Sequence, residues 1–294
     1  MSRKFWLSET MVAYYFLLPC IIGFLLFTTI PLVSSLVLSF YDWNILSPPK
    51  FIGLSNFIRL FTDDDIFITS LKNTVLYVIA VVPFGIGLGL IAAVVLNQQL
   101  KGVAFWRAVY FLPVITSTVA ISLVWRWIFN PDVGLINVIL RGLAVANPPS
   151  WIGGVEWALP SIMIVAIWKT IGYNMVIFLA GLQNIPKELY EAASIDGSNR
   201  WNSFWHVTVP LLRPTTFFIT VIAIINSFQV FGFALIMTEG GPGNATNTLV
   251  LYVYQQGFKF FNMGYASAIA WVLFVIILIF TLLQSYINHR REAA

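Results

Sequence analysis

The chain has 294 residues, of which 59% are hydrophobic and only 10% are charged, and its mean hydropathy is +0.85. Soluble domains carry about 25% charged residues, so this composition excludes an ordinary soluble protein and predicts a membrane protein. The net charge of +4 comes from basic residues scattered between apolar stretches, which does not favour nucleic-acid binding. A single cysteine, Cys20, excludes an intramolecular disulfide and argues against a thiolate metal cluster.

Six stretches are apolar enough to cross a bilayer, because a helix needs about 20 mostly apolar residues to span roughly 30 Å of hydrocarbon. The first exceeds the usual length of a signal-peptide core and lacks a small-residue cleavage site, so we interpret it as a span. The sequence therefore predicts an all-α integral membrane protein, in which residues 1–294 form one domain of six transmembrane helices. The predicted spans are residues 11–38, 74–96, 108–129, 157–182, 214–237 and 264–286.

The distribution of basic residues indicates the direction of these spans. Segments that share a side with the N-terminus are shorter and richer in Lys and Arg than those on the other side. The positive-inside rule therefore predicts cytoplasmic N- and C-termini. Two amphipathic segments in the external loops, 51–65 and 131–143, predict short helices on the outer surface, and residues 240–248 predict a turn-rich loop. The two helices could simply cover helix ends or could dock a soluble partner.

Residues 186–210 form a polar connection between the fourth and fifth spans, on the predicted cytoplasmic side. Pro186 can begin a helix over residues 187–195, and Gly197 can end it in a left-handed conformation. A second short helix is predicted over residues 202–208, ending near Pro210. The first helix is marginal alone and needs a surface to pack on, either lipid headgroups or a protein. Its exposed face is predicted to carry Leu189, Tyr190, Ala193 and Ile195.

This connection contains the letters "EAASIDG" at 191–197, followed by Val209 and Pro210. It resembles the EAA signature of the permease subunits of binding-protein-dependent ABC importers, with Val in place of the Leu that usually precedes the proline. Other stretches resemble the carbohydrate-uptake branch of that family, which includes the maltose and multiple-sugar permeases. They read "GLQNIPKELYEAASIDG", "FLPVITSTVAISLVWRWIFNP", "TEGGPGNATNTLVLYVY" and "GYASAIAWVLF".

The resemblance implies the type I ABC importer permease fold and makes the connection a coupling helix that inserts into a cytoplasmic ATPase. It implies a second homologous permease subunit, two copies of the ABC ATPase and an extracytoplasmic sugar-binding protein as partners, besides membrane lipid. ATP and Mg²⁺ would belong to the ATPase, so we expect no cofactor in this chain, which has no P-loop motif. It also implies the plasma membrane of a bacterium or archaeon. The expected coupling residues are Tyr190, Glu191, Ala192, Ala193, Asp196 and Gly197.

Lys169 lies in the middle of the fourth span, about 18 Å from either helix end, so its side chain cannot reach the membrane surface. A charge at that depth needs a polar cavity or a partner. No acidic residue lies in a predicted span, so the partner is expected to come from another subunit, water or substrate. Polar residues in spans often only hold helices together. The resemblance favours a sugar pathway, with the candidates Lys169, Tyr173, Asn174, Asn226, Ser227 and Gln229.

The letters "GIGLGL" at 85–90 lie inside the second span with no strand before them, which indicates close helix packing rather than a nucleotide fingerprint. The two histidines, His206 and His289, have no metal-site spacing, and no catalytic cluster is visible, so an enzyme is not expected. An ATP-driven sugar importer is the function that the resemblance implies. The alternatives are an ion-driven secondary transporter, which the absence of carboxylates in spans disfavours, or a permease for a non-sugar solute such as glycerol phosphate.

Overall fold

The computed structural model describes residues 9–98 and 101–292, and most of these residues are helical. Five helical stretches are long and apolar enough to cross a membrane, and a bent helix pair provides a sixth if it counts as one span. The prediction of an all-α membrane protein is therefore confirmed. By contacts between Cα atoms, the chain divides into two compact units, which are described separately below.

The first unit contains the described residues up to Asp63 together with Val253–Val272. Helix α1 (Glu9–Phe24) continues through a π-helical segment (Leu25–Thr29) into α2 (Ile30–Leu38), and the resulting span coincides with predicted residues 11–38. Strands β1 (Tyr41–Asp42) and β2 (Lys50–Phe51) pair in antiparallel register.

Helix α3 (Ser55–Thr62) lies within the segment where an amphipathic helix is predicted. Its buried Asn56 donates from Nδ2 to the carbonyl oxygens of Ser39 and Tyr41, at 2.9 and 3.0 Å. The Arg59 guanidinium lies 4.6 Å from the centre of the Tyr265 ring. These contacts hold α3 against the end of the first span and the start of the last helix.

The second unit contains Asp64–Tyr252 and the described residues from Leu273 onward, and it is built around two long helices. Helix α4 (Asp65–Leu96) begins earlier than predicted, with the Asp64 side chain accepting a hydrogen bond from the Phe67 N–H. It packs along α8 (Val155–Gln183), which contains Lys169 at its centre.

Two glycines of the "GIGLGL" segment allow α4 and α8 to approach closely. A Cβ atom on Gly89 would lie 2.5 Å from the Asn174 Cβ, and one on Gly85 would lie 2.8 Å from the Thr170 Oγ1. Small residues four apart on one helix face allow such backbone approach in membranes. As predicted, the segment serves helix packing.

The third predicted span, residues 108–129, is a bent pair of helices rather than one continuous helix. The structure has α5 (Val103–Ile115) and α6 (Thr118–Ile128), which are bent by 99° at the break between them. Thr116 and Ser117 adopt extended ψ angles of 139° and 134°. The Ser117 hydroxyl accepts a hydrogen bond from the Val119 N–H, so this serine caps a new helix inside an apolar run.

Amphipathic helix α7 (Leu135–Gly142) follows at the position predicted for it. Span five consists of α12 (Arg213–Phe228) and the short α13 (Gly232–Met237), separated by a break at residues 229–231. Helix α14 (Leu249–Tyr254) leads through a π-helical segment (Gln255–Lys259) to α15 (Met263–Glu292).

The loop between α13 and α14 is turn-rich, as predicted, with positive φ angles at Glu239, Gly240, Gly243 and Asn244. The sequence did not indicate that its second half is buried: Thr246, Asn247 and Thr248 are at most 1% exposed. The Asn73 Nδ2 on α4 donates to the carbonyl oxygens of Asn244 and Asn247, at 2.9 and 3.0 Å. This loop is therefore fixed to the bundle.

Candidate functional site

The connection between spans four and five contains a helix with the predicted bounds. Pro186 precedes α9 (Lys187–Ile195) with an extended ψ of 135°, and Asp196 is its C-cap. Gly197 has a φ of +79°, and its N–H donates to the Ser194 carbonyl. A left-handed glycine at this position satisfies the last carbonyls of the helix, so the "EAASIDG" letters form a helix and its terminating turn.

Tyr190 faces the protein, and the prediction that it lies on the exposed face is wrong. Its hydroxyl is 2.9 Å from the Thr208 Oγ1, and its ring packs against a buried cluster that includes Leu182 and Leu212. Leu189 and Ile195 are exposed, by 42% and 86%. Helix α9 is therefore anchored on one side and free on the other. The free side also presents Glu191, Ala192 and Asp196, whereas Ala193 is half-buried.

The second helix of the connection begins at Arg200, two residues earlier than predicted, and ends at Leu211, next to Pro210. It runs as α10 (Arg200–Ser203), a π-helical segment (Phe204–Thr208) and α11 (Val209–Leu211). The π segment shifts the bonding pattern, so that the Val209 N–H donates to the Phe204 carbonyl five residues earlier. Proline has no N–H to donate, and a locally changed hydrogen-bond pattern allows it to remain inside the helical stretch.

A cavity of about 370 Å³ lies beneath α9, between α9, the end of α4 and the second helix. Polar side chains among its lining residues include Asn97, Gln98, Ser194, Ser198, Arg200 and Ser203. Because this cavity separates part of α9 from α4 and the second helix, α9 contacts the bundle mainly through Tyr190.

We expect Tyr190→Phe to loosen α9 without unfolding the bundle. It removes the hydrogen bond to Thr208, worth about 1 kcal/mol, while the ring packing remains. Hydrogen exchange of the amides of α9 should become roughly fivefold faster, and exchange in α8 should not change. Tyr190→Ala should have a larger effect in the same place. Unchanged exchange in both variants would contradict the anchoring role.

Four of the six predicted pathway residues line one small cavity in the middle of the bundle. The cavity has a volume of about 50 Å³ and lies between α4, α8 and α12. Such a volume holds a few water molecules. Asn174 and Ser227 are buried, and Tyr173 is 40% exposed. The predicted residues that the structure brings together are Tyr173, Asn174, Asn226 and Ser227, with Thr170 beside them.

Lys169 and Gln229 do not line this cavity. Gln229 is exposed and caps the C-terminus of α12. The Lys169 Nζ donates to the Thr116 carbonyl at 3.2 Å and to the Thr118 Oγ1 at 2.7 Å. The expectation that its partner would be another subunit, water or substrate is therefore wrong, because the partner is the break between α5 and α6.

The breaks in spans three and five lie next to each other. A Cβ on Gly232, the first residue of α13, would lie 3.1 Å from the Thr118 Cγ2 at the start of α6. The Phe233 ring centre is 5.9 Å from the Lys169 Nζ. At the other end of α13, the Arg126 Nη1 donates to the Ile236 carbonyl at 3.3 Å. Helices α6 and α13 thus pack together, with the lysine at the junction.

Sequence reasoning missed the break, and with it the residues that bind the lysine. A helix break leaves carbonyl groups without intrahelical donors, and in a membrane these groups need partners from the protein. The three hydroxyl residues at 116–118, shortly after Pro113, were the available signal. Ser117 and Thr118 could have been interpreted as the cap and first residue of a new helix.

The fold and the exposed α9 define a transport permease, and comparison with known proteins gives the family. Residues 85–293 match the family described as "Binding-protein-dependent transport system inner membrane component". The match covers more than half of the chain, which therefore belongs to this family of multi-pass membrane proteins.

Several named relatives are similar along most of their length. The chain is 43% identical over 279 residues to a probable ABC transporter permease protein, YesP, of Bacillus subtilis, covering 94% of this chain and 90% of the relative. It is 36% identical over 286 residues to the arabinooligosaccharides permease AraP of the same species, covering 96% and 90%. It is 37% identical over 236 residues to the sn-glycerol-3-phosphate permease UgpA of Agrobacterium fabrum, covering 80% of each chain.

A solved structure has the same fold. It is a bacterial alginate ABC transporter in complex with a periplasmic protein that holds an alginate pentasaccharide. The TM-score is 0.85 at 25% sequence identity, and the alignment covers 95% of this chain and 94% of that one. The type I importer permease architecture implied by the sequence motifs is thereby confirmed.

Proposed function

We propose that this chain is the membrane-spanning permease subunit of an ATP-driven sugar importer. It forms half of the translocation pathway and receives its energy from a separate cytoplasmic ATPase through α9. Two copies of that ATPase, a second homologous permease and an extracytoplasmic sugar-binding protein complete the transporter, in the plasma membrane of a bacterium or archaeon. The chain itself needs no cofactor, because ATP and Mg²⁺ bind to the ATPase.

The exposed face of α9 is the observation on which the coupling role rests. Ile195 is 86% exposed although it is a large apolar residue, and Glu191, Ala192 and Asp196 lie around it without burial. An exposed apolar side chain on a short helix with a small-residue face suits insertion into a protein cleft. Ligand binding that favours one of two packed states then moves the spans, which is the physical basis of alternating access.

The central cavity favours an uncharged, hydroxyl-rich cargo over a phosphate ester. The described residues that line it are amides, hydroxyls and apolar groups, and none of them is charged. Lys169 already donates to Thr116 and Thr118. The relative AraP is named for arabinooligosaccharides, whereas UgpA is named for glycerol phosphate and the alginate transporter for an acidic polysaccharide. The cavity must open for a sugar to pass, and the second permease would supply the facing wall.

The test uses the complete transporter, co-expressed with its partners and reconstituted in vesicles. Uptake of arabino-oligosaccharides, alginate oligosaccharides and glycerol 3-phosphate is measured together with ATP hydrolysis. Glu191→Ala and Gly197→Pro are expected to lower uptake at least roughly tenfold, within the range of typical coupling energies, while the chain still assembles. Proline cannot adopt the φ of +79° at residue 197.

Two conservative variants are the controls. Gly197→Asn keeps a residue that tolerates the left-handed region, and Glu191→Gln keeps the shape of the side chain. Near-normal uptake in Gly197→Asn together with loss in Gly197→Pro is the expected pattern. Normal uptake in Gly197→Pro would refute the coupling role. Uptake of glycerol phosphate but of no sugar would refute the proposed cargo and leave the coupling role standing.

A further inference from the structure

An apolar groove of about 310 Å³ runs along the outside of the α4–α5 pair, against α8. Helix α4 contributes Leu88, Ile91, Val95 and Leu96, and helix α5 contributes Trp106 and Tyr110. Ile91 is 61% exposed and Trp106 is 51% exposed, so the groove is open to its surroundings. In a membrane, these surroundings are hydrocarbon chains.

A guanidinium group contacts Leu96, a residue that lines one end of the groove. The Arg107 Nη2 donates to the carbonyl oxygen of Leu96, the last residue of α4, at 2.8 Å. The Arg107 Nε is buried and has no hydrogen-bond partner among the residues that the structure describes. A buried donor without an acceptor is unfavourable, and more so when the group carries a charge.

The charged residues near this end of the groove in the sequence are all basic. Lys101 and Arg107 are the only charged residues between Lys72 and Arg126, and no acid occurs between Asp65 and Asp132. The Leu96 carbonyl uses only one of the five guanidinium donors. An acceptor that carries negative charge suits the remaining donors better than a neutral one. Phosphate oxygens are such acceptors, and arginine binds them with charge-assisted hydrogen bonds.

We propose that this groove is a binding site for one anionic phospholipid. An acyl chain lies along the groove lining of α4 and α5, and the headgroup phosphate accepts hydrogen bonds from Arg107. The site lies where α4 ends and α5 begins, which is the depth of a lipid headgroup. Trp106 beside it is the residue type that is enriched at that depth. The positive-inside topology places this end in the cytoplasmic leaflet, where anionic lipids attract basic residues.

The test uses the complete transporter in nanodiscs that contain equal amounts of phosphatidylglycerol and phosphatidylcholine with identical acyl chains. Lipids that remain bound after detergent extraction are counted by native mass spectrometry. The attraction between one basic residue and an anionic membrane surface corresponds to a roughly fivefold preference for the anionic lipid. We expect this ratio of bound phosphatidylglycerol to bound phosphatidylcholine for the wild type. Arg107→Gln should reduce this preference to about one. Arg126→Gln is the matched control, because Arg126 also donates to a helix carbonyl.

A second variant addresses the groove rather than the headgroup. Ala92 also lines it, and Ala92→Phe should fill it, so that fewer molecules of either lipid remain bound. Excess glycerol phosphate, a headgroup without acyl chains, should not displace the bound lipid.

Four results would overturn the proposal: no lipid preference in the wild type, an unchanged preference in Arg107→Gln, displacement by glycerol phosphate, or a partner polypeptide crosslinked along the groove in the assembled transporter. If Arg107 only capped α4, Arg107→Gln would lower the melting temperature and leave the lipid ratio unchanged. This outcome is a case of the second result and would overturn the proposal.

Discussion

Replacement of Gly89 by valine is expected to prevent α4 and α8 from packing and to leave little folded protein in the membrane. A Cβ at residue 89 would lie 2.5 Å from the Asn174 Cβ and 3.3 Å from the Met175 nitrogen. Both neighbours belong to the interior of a long helix, so they cannot move aside like the end of a flexible side chain. Overpacking of this kind costs roughly 1–3 kcal/mol or more, and these two helices are the centre of the unit.

The chain contains a matched control two residues away. Gly87 lies on the same helix and in the same "GIGLGL" segment, and a Cβ there would meet no atom within 4 Å. Gly87→Val should therefore reach wild-type levels in the membrane and keep the wild-type melting temperature in detergent. Equal loss of folded protein in both variants would show that helix propensity, rather than the contact with α8, explains the glycines.

Replacement of Lys169 by methionine is expected to destabilise the junction of the two broken spans. It removes the donors to the Thr116 carbonyl and the Thr118 hydroxyl and keeps an unbranched side chain that is only slightly shorter. A backbone carbonyl without a partner in a membrane interior costs several kcal/mol. We expect a clear drop in the melting temperature and slow or absent uptake.

A double-mutant cycle separates this structural role from contact with cargo. Thr118→Val removes one acceptor of the lysine, so Lys169→Met and Thr118→Val should be non-additive in their effect on stability. A lysine that served only the cargo would change the apparent affinity for sugar at unchanged melting temperature. If the two substitutions had additive effects on stability and altered the sugar preference, Lys169 would contact the cargo, and its role in stabilising the junction of the broken spans would be contradicted.

Much of the membrane architecture could be predicted because hydropathy over a long window is a strong signal. The first span coincides with residues 11–38, and α8 and α15 extend the predicted stretches by only a few residues at most ends. The bend of span three could not be obtained in this way, since α5 and α6 are both apolar. The bend involves a side-chain cap at Ser117 and hydrogen bonds from Lys169, and a hydropathy window detects neither of these contacts.

The candidate site shows the same division between local and tertiary signals. The bounds of α9 follow from Pro186 and Gly197, which act through their own backbone preferences. The orientation of Tyr190 follows from Thr208 and the buried cluster, which lie elsewhere in the chain. Similarly, the position of Lys169 in the middle of a span identified it as unusual from the sequence. Its partners became apparent only from the packing of α8 against the break between α5 and α6.

The buried loop between α13 and α14 has a practical consequence for labelling the protein. A turn-rich segment between two spans is a natural choice for inserting an epitope tag or a fluorophore. Insertion after Asn244 would separate the two carbonyls that Asn73 holds and would displace the buried Thr246. Residues 143–147, which are exposed along their whole length, offer a site where a reporter can be attached without disturbing the bundle.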